Sequence, residues 1–338
     1  MINGTLRPWG SPQWLLKMPT LNGLKWSVVG ALSTQDRCLS LIRLKADFHL
    51  ESVFFLEIED LSSSFTVLGK ARLEANRRLW DAELQGIRHE LTAIGLFDPL
   101  KKLKTIFENY LVSVGGNVIL DVSAFPERFF FPILRWLTAS KSITNLLVTY
   151  MLPERYTDAE LAYDARDWAQ LPTFVYEGEG AEPPIERVVV GAGFLPFGLP
   201  DWLKKTYAGR AVEVSVLLPF PSSPSNLKRA WEFLRQIEDT VTLSDERQIA
   251  RIDANDLSAC FDRLGQITHQ GKIPTVFAPY GPKPHSVAMC LQAINMGAEV
   301  FYTQPSFYHP EYTTGIMMKA GSPAGFAYAI KLDGRNLY

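Results

Sequence analysis

Lys25-Trp-Ser-Val-Val-Gly-Ala-Leu32 and Arg187-Val-Val-Val-Gly-Ala192 decide the fold. Each is a short, nearly unbroken apolar run rich in β-branched residues. That is the pattern of a strand buried on both faces of a parallel sheet. Working outward from the first, comparable runs occur at Val53–Glu59, Asn117–Val122 and Asn145–Tyr150. From the second they occur at Val212–Leu218, Thr275–Pro279 and Glu299–Thr303. Helical patterns fit between them, for instance at Leu68–Gln85, Leu227–Ile237 and His285–Asn295. Strand and helix alternating in this way is the α/β signature.

The two halves also share landmarks in the same order. Val28-Val-Gly-Ala31 matches Val189-Val-Gly-Ala192, and the strand at Val53 matches that at Val214. Arg78-Leu-Trp80 matches Arg229-Ala-Trp231, and Pro126 matches Pro282. Tyr150-Met-Leu-Pro-Glu-Arg-Tyr156 matches Tyr302-Thr-Gln-Pro-Ser-Phe-Tyr308. The expected architecture is two tandem Rossmann-like parallel-sheet modules, an internal duplication, at 24–177 and 185–312. The acidic, Gly- and Pro-rich stretch ending at Pro184 reads as a linker, 178–184. Residues 1–23 and 313–338 read as packing extensions, the latter with a short strand at Phe326–Ile330.

Composition narrows the classes. The chain has 338 residues, of which 47% are apolar and 21% charged, so it can bury a sizeable core. Lys and Arg total 34 against 36 Asp and Glu, which excludes a nucleic-acid module built on bulk charge. Lys101-Lys-Leu-Lys104 reads as the solvated face of a helix, and direct nucleic-acid binding is not favoured. Cys38, Cys260 and Cys290 lie far apart, without a CxxC, so neither a disulfide framework nor a zinc site is expected. Five scattered histidines argue against a His-based metal site. No basic end followed by an apolar run opens the chain, and the longest uncharged stretch is Pro284–Ala298. A cytoplasmic protein that does not engage a membrane is expected.

In open parallel sheets ligands bind past the carboxyl ends of the strands, so polar residues there are the candidates. After the first strand, Ser33 and Arg37 could hold a phosphate or ribose at a small turn and helix start, with an ordinary N-cap as the bland alternative. Cys38 falls within that helix and reads as core. After the second strand, Glu57 and Glu59 share a face with Asp60 at the end. They could bind Mg²⁺ or a ribose hydroxyl, or be a solvated strand end. After the third, Asp121 and Ser123 lie near a strand end, where a buried Asp needs a partner such as Arg128 or Arg37. A structural Asp–Arg pair and a catalytic Asp are equally open. In the second half, Tyr280, Lys283 and His285 lie on a loop fixed by Gly281 and prolines and suit an anionic or nucleotide-like ligand. Gln304 follows the last strand, amid tyrosines able to stack on bases. The Arg-x-Trp pair could direct Arg78 and Arg229 to a ligand while Trp80 and Trp231 anchor helices.

Three phrases carry a family resemblance: Asp121-Val-Ser-Ala-Phe-Pro-Glu-Arg-Phe-Phe-Phe-Pro-Ile-Leu-Arg135, Val148-Thr-Tyr-Met-Leu-Pro-Glu-Arg-Tyr156 and Tyr280-Gly-Pro-Lys-Pro284. They resemble a poorly characterised group of bacterial proteins met among mobile-element and antiviral-defence genes. In outline the architecture is also similar to the CRISPR-associated Rossmann fold family and its fused two-module relatives, which sense oligonucleotide messengers at the seam between modules. This resemblance implies a nucleotide-sensing or regulatory subunit of a bacterial defence assembly, with another defence protein as partner. Its ligand, a nucleotide or nucleotide-derived messenger, is expected between the two modules, with Ser33, Arg37, Asp121, Ser123 and Arg128 on one side and Tyr280, Lys283 and His285 on the other. Two alternatives stay open. One is a nucleotide or NAD N-glycosidase or transferase, with catalysis by Asp121, Glu57 or His285. The other is a non-catalytic scaffold binding protein through an apolar surface such as Phe129-Phe-Phe131.

Overall fold

The computed structural model describes residues 6–59, 62–157, 162–175, 184–193, 195–207, 212–220, 224–238 and 248–338. Asp60 and most of the expected linker, residues 178–183, lie outside the described residues. The chain divides into one unit made of Met1–Asp164 with Pro305–Leu337, and a second made of Ala165–Gln304.

The first unit runs β1 (Lys25–Leu32), β2 (His49–Glu59), α1 (Thr66–Glu83), β3 (Arg88–Gly95), α2 (Leu100–Ser113), β4 (Asn117–Asp121), α3 (Glu127–Ala139) and β5 (Asn145–Met151). The second runs β6 (Arg187–Gly191), α4 (Leu199–Tyr207), β7 (Glu213–Pro219), α5 (Pro224–Glu238), β8 (Ile249–Ile252), α6 (Leu257–Ile267), β9 (Thr275–Pro279), α7 (Lys283–Met296) and β10 (Glu299–Tyr302). Both sheets are doubly wound and parallel through these strands. Their orders are β3-β2-β1-β4-β5 and β8-β7-β6-β9-β10. In each, the first strand is flanked by the second and the fourth, so the order reverses there. That reversal leaves a place for a ligand past the carboxyl ends.

The apolar runs explain the interior strands. Val28 pairs with Val53 on one side and Ile119 on the other, and all three are buried. Every residue of β5 is buried. Each sheet also gains an antiparallel strand beside its fifth strand: Gly325–Leu332 pairs with β5, and Ala169–Gln170 with β10. The strand expected at Phe326–Ile330 is therefore present, slightly longer and part of the sheet, and Trp9–Gly10, expected as packing, pairs with it in turn. A strand covered on both faces needs partners on both edges, and these segments supply them.

Several expectations change. The connection after β1 holds two short 3-10 turns, Asp36–Leu39 and Ile42–Leu44, where a helix was expected. Cys38 is buried there, and burial pushes its thiol up to about 12, so it is core and no nucleophile. Gly30 lies inside β1, as the apolar run indicates. A Cβ on it would meet the Phe55 ring at 2.4 Å, so glycine makes room for a buried aromatic that packs on Trp80. The Arg-x-Trp match is not kept in phase, since Trp80 is buried and Trp231 is 43% exposed. Phe129, Phe130 and Phe131 are all buried, which removes them as an exposed partner surface.

One buried cation ties the tail to the first unit. Lys331 of the C-terminal strand donates from Nζ to the carbonyls of Thr138 (2.8 Å) and Ser140 (2.9 Å), past the end of α3. A positive charge suits a helix C-terminus, whose last carbonyls lack intrahelical partners. Lys331→Met keeps the apolar stem and strips these carbonyls of their donor. Urea unfolding should register a loss of about 1–3 kcal/mol; an unchanged midpoint would refute the cap.

Candidate functional site

The expected site residues fall into two sets, one in each unit. Ser33, Arg37, Glu57, Asp121, Ser123 and Arg128 belong to the first. Tyr280, Lys283, His285 and Gln304 belong to the second.

In the first unit the chain leaves β1 through Ser33, whose Oγ accepts from the Gln35 N–H at 3.1 Å. Ser33 thus forms a local turn and not the expected N-cap, because the 3-10 turn Asp36–Leu39 starts after Gln35 with no side-chain cap. Arg37 then folds inward and is 2% exposed. Its Nε donates to Gln35 Oε1 at 3.0 Å and its Nη1 to the Met151 carbonyl at 3.3 Å. Its guanidinium carbon lies 5.3 Å from the centre of the Tyr150 ring. The side chain therefore runs from the exit of β1 to the end of β5, filling the place past the carboxyl ends.

Beneath it, Asp121 is buried and accepts from the Ser123 N–H at 3.1 Å and from the Ser123 hydroxyl. Ser123 Oγ in turn accepts from the Met151 N–H at 2.7 Å. Burial pushes the Asp121 carboxyl up to about 6, against the opposing pull of these hydrogen bonds and the Arg37 charge. Neither arginine expected to partner Asp121 pairs with it directly: Arg37 acts on it only as a nearby charge. Arg128 donates to the Asp98 carbonyl at 3.0 Å, in the loop between β3 and α2. Glu57 is buried and ion-paired with Arg77 of α1, whose Nε donates to it at 3.2 Å. Among the described residues no group of three His, Cys, Asp or Glu side chains could hold a metal ion.

In the second unit β6 ends in Gly191-Ala-Gly193. A Cβ on Gly193 would lie 1.7 Å from the Tyr280 carbonyl oxygen, and one on Gly191 would lie 3.1 Å from the Gly281 nitrogen. Glycine at both places lets the loops after β6 and β9 touch backbone to backbone. The Tyr280 hydroxyl lies 3.1 Å from Thr303 Oγ1 and 3.3 Å from the Phe197 carbonyl oxygen. Around it stand half-buried rings: Trp168 stacks on Trp202 with centroids 4.0 Å apart, and Tyr280 lies 6.1 Å from Trp168 and 5.6 Å from Tyr302. Half-buried Lys283 opens α7, directly after Pro282. Gln304 is buried, and its carbonyl accepts from the Arg166 N–H at 3.1 Å.

His285 points elsewhere. It is buried, and its Nε2 donates to the Asp253 carbonyl at 2.8 Å, pinning the loop after β8 to α7. A carbonyl only accepts, so Nε2 carries the proton and Nδ1 is bare, without a partner among the described residues. Burial pushes the ring down to about 4. A neutral imidazole held this way serves the fold.

Sequence reasoning missed the residues that close the first unit's site. Arg72, Asn76 and the segment around Thr313 reach Ser33–Arg37 from far along the chain. No local pattern marks them. Gly191-x-Gly193 directly after a strand was the readable signal in the second unit.

No family model matches this chain, and no curated protein matches it. Among solved structures it is similar to the cytoplasmic domain of a prokaryotic cation chloride cotransporter. The identity is 10%, over 84% of this chain and 96% of that one, with a TM-score of 0.25. No helix among the described residues is long and apolar enough to cross a membrane.

Asp121 and His285 set opposite pH slopes. The folded Asp121 carboxyl titrates near 6, above its ordinary 3.8, so its contribution is full in acid and lost as pH rises. His285 titrates near 4, below its ordinary 6.5, so its contribution is full above that value and lost as pH falls. Each difference is on the order of 3 kcal/mol. Measured against wild type from pH 6.5 down to 4, His285→Gln should gain stability and Asp121→Asn should lose it. Two flat difference curves would contradict the assignment.

Proposed function

We propose that this protein is a cytoplasmic sensing or regulatory subunit, not an enzyme, which binds a nucleotide or nucleotide-derived messenger at the carboxyl edge of the second unit's sheet. The observation that carries this reading is the gathering of Trp168, Trp202, Tyr280 and Tyr302 at the edge where Gly191-Ala-Gly193 meets Tyr280-Gly281. Aromatic faces accept any base by stacking, and Lys283 at the start of α7 suits a phosphate.

The three catalytic candidates support a regulatory rather than a chemical role. Asp121 is engaged by Ser123, Glu57 by Arg77, and His285 by the Asp253 carbonyl. A glycosidase needs a carboxylate free to face a sugar cation, and these are occupied. The place in a defence assembly, and the partner protein there, rest on the sequence resemblance. The common strand order of the two sheets supports an origin by duplication.

Calorimetry of wild type and Lys283→Ala with ATP, NAD and cyclic oligonucleotides tests the reading. At least one should bind wild type and weaken tenfold or more in the variant. No binding by any of them would remove the proposal. Release of free base from NAD, abolished in Asp121→Asn, would replace it with the glycosidase.

A further inference from the structure

The first unit has its own place past the carboxyl ends, and a strap crosses it. The strap runs from His309 to Gly315. Its Thr313–Thr314 pairs antiparallel with Arg155–Tyr156. The Gly315 N–H donates to Asp36 Oδ2 at 2.8 Å, and Thr313 Oγ1 donates to Gln35 Oε1 at 3.0 Å. That same Gln35 oxygen accepts from Arg37, so strap and buried cation share one acceptor.

Arg72 of α1 is the second cation here. Its Nε donates to the Thr34 carbonyl at 3.2 Å, which aims the guanidinium along the exit of β1. Its Nη2 meets Asp36 at 3.2 Å, and its Nη1 meets Glu311 of the strap at 2.8 Å. Among the described residues no carboxylate stands within ion-pair distance of Arg37. Both arginines hold the segment that leaves β1, Arg37 from the buried side and Arg72 from α1, where doubly wound sheets bind anions, and Arg72 meets Asp36 and one carboxylate brought from the far end of the chain.

We propose that Arg72, with Arg37 behind it, is a binding site for a phosphate-bearing ligand, and that Glu311 occupies it as an internal stand-in for that anion. Ligand and strap then compete. The Glu311 side chain is 45% exposed, and so exposed a partner holds Arg72 weakly, while Asp36 stays bonded to it. A phosphate offers more charge and can take a guanidinium through two oxygens at once. Displacement is transmitted through Gln35, which loses Thr313 and keeps Arg37. The site lies in the first unit and does not depend on the reading of the second.

Calorimetry with inorganic pyrophosphate on the full chain tests this. Wild type should bind weakly, and Glu311→Gln should tighten binding tenfold or more. Adding Arg72→Gln to Glu311→Gln should abolish the gain. Gly315→Ala gives an independent route, because Gly315 has a φ of +69° and a Cβ there would meet Glu154 Cβ at 2.8 Å, straining the strap. It should reproduce the gain. The gain should also persist with Lys283→Ala, which separates this site from that of the second unit. No gain in either strap variant, or a gain that survives loss of Arg72, overturns the proposal.

Discussion

A strand paired along both edges and covered on both faces favours apolar side chains along its length and leaves most polar ones to its ends. That constraint organises both units. In β1, β4 and β5 Val, Ile and Leu fill most interior positions, with buried Ser27 and Thr149 as exceptions, and the polar groups of the candidate site appear at the ends, at Ser33, Asp121 and Ser123. In β6 and β9 they appear at Tyr280 and beyond. Burial of the strands and placement of the candidate sites are one fact seen from two sides.

The same constraint decided what could be read from sequence. Interior strands were legible because nothing but an apolar run survives there, and β1 and β9 run as expected. Edge strands were not. β3, Arg88-His-Glu-Leu-Thr-Ala-Ile-Gly95, is paired on one side only and mixes charge with apolar residues. β8 is four residues long and also lies at an edge. The candidate residues were named correctly as strand-end groups, but their partners were out of reach of local reading. Arg37 meets Met151, 114 residues away, and Arg72 meets Glu311 at a separation of 239. Burial cannot be read from residue type either, so His285 looked like a titratable tip and is a buried pin.

Identical sequence does not mean identical work. Val-Val-Gly-Ala occurs in both halves, yet Gly30 clears space for the Phe55 ring within a strand, and Gly191 ends a strand and lets a neighbouring loop approach. One glycine serves the core and the other serves the edge. The two ends of the sheets accordingly diverge: the first is filled by an arginine and crossed by a strap, and the second is ringed by half-buried aromatics.

The late position of Gly325–Leu332 has a consequence for synthesis. β5 is complete at Met151, yet the strand that pairs with its open edge emerges only after the whole second unit has been translated. At about 5–20 residues per second, that gap is on the order of ten to forty seconds on the ribosome. Through that interval a largely apolar strand presents unpaired N–H and C=O groups to solvent, the kind of template that invites a wrong partner. The nascent first unit must therefore be shielded or held unfinished until its last strand arrives.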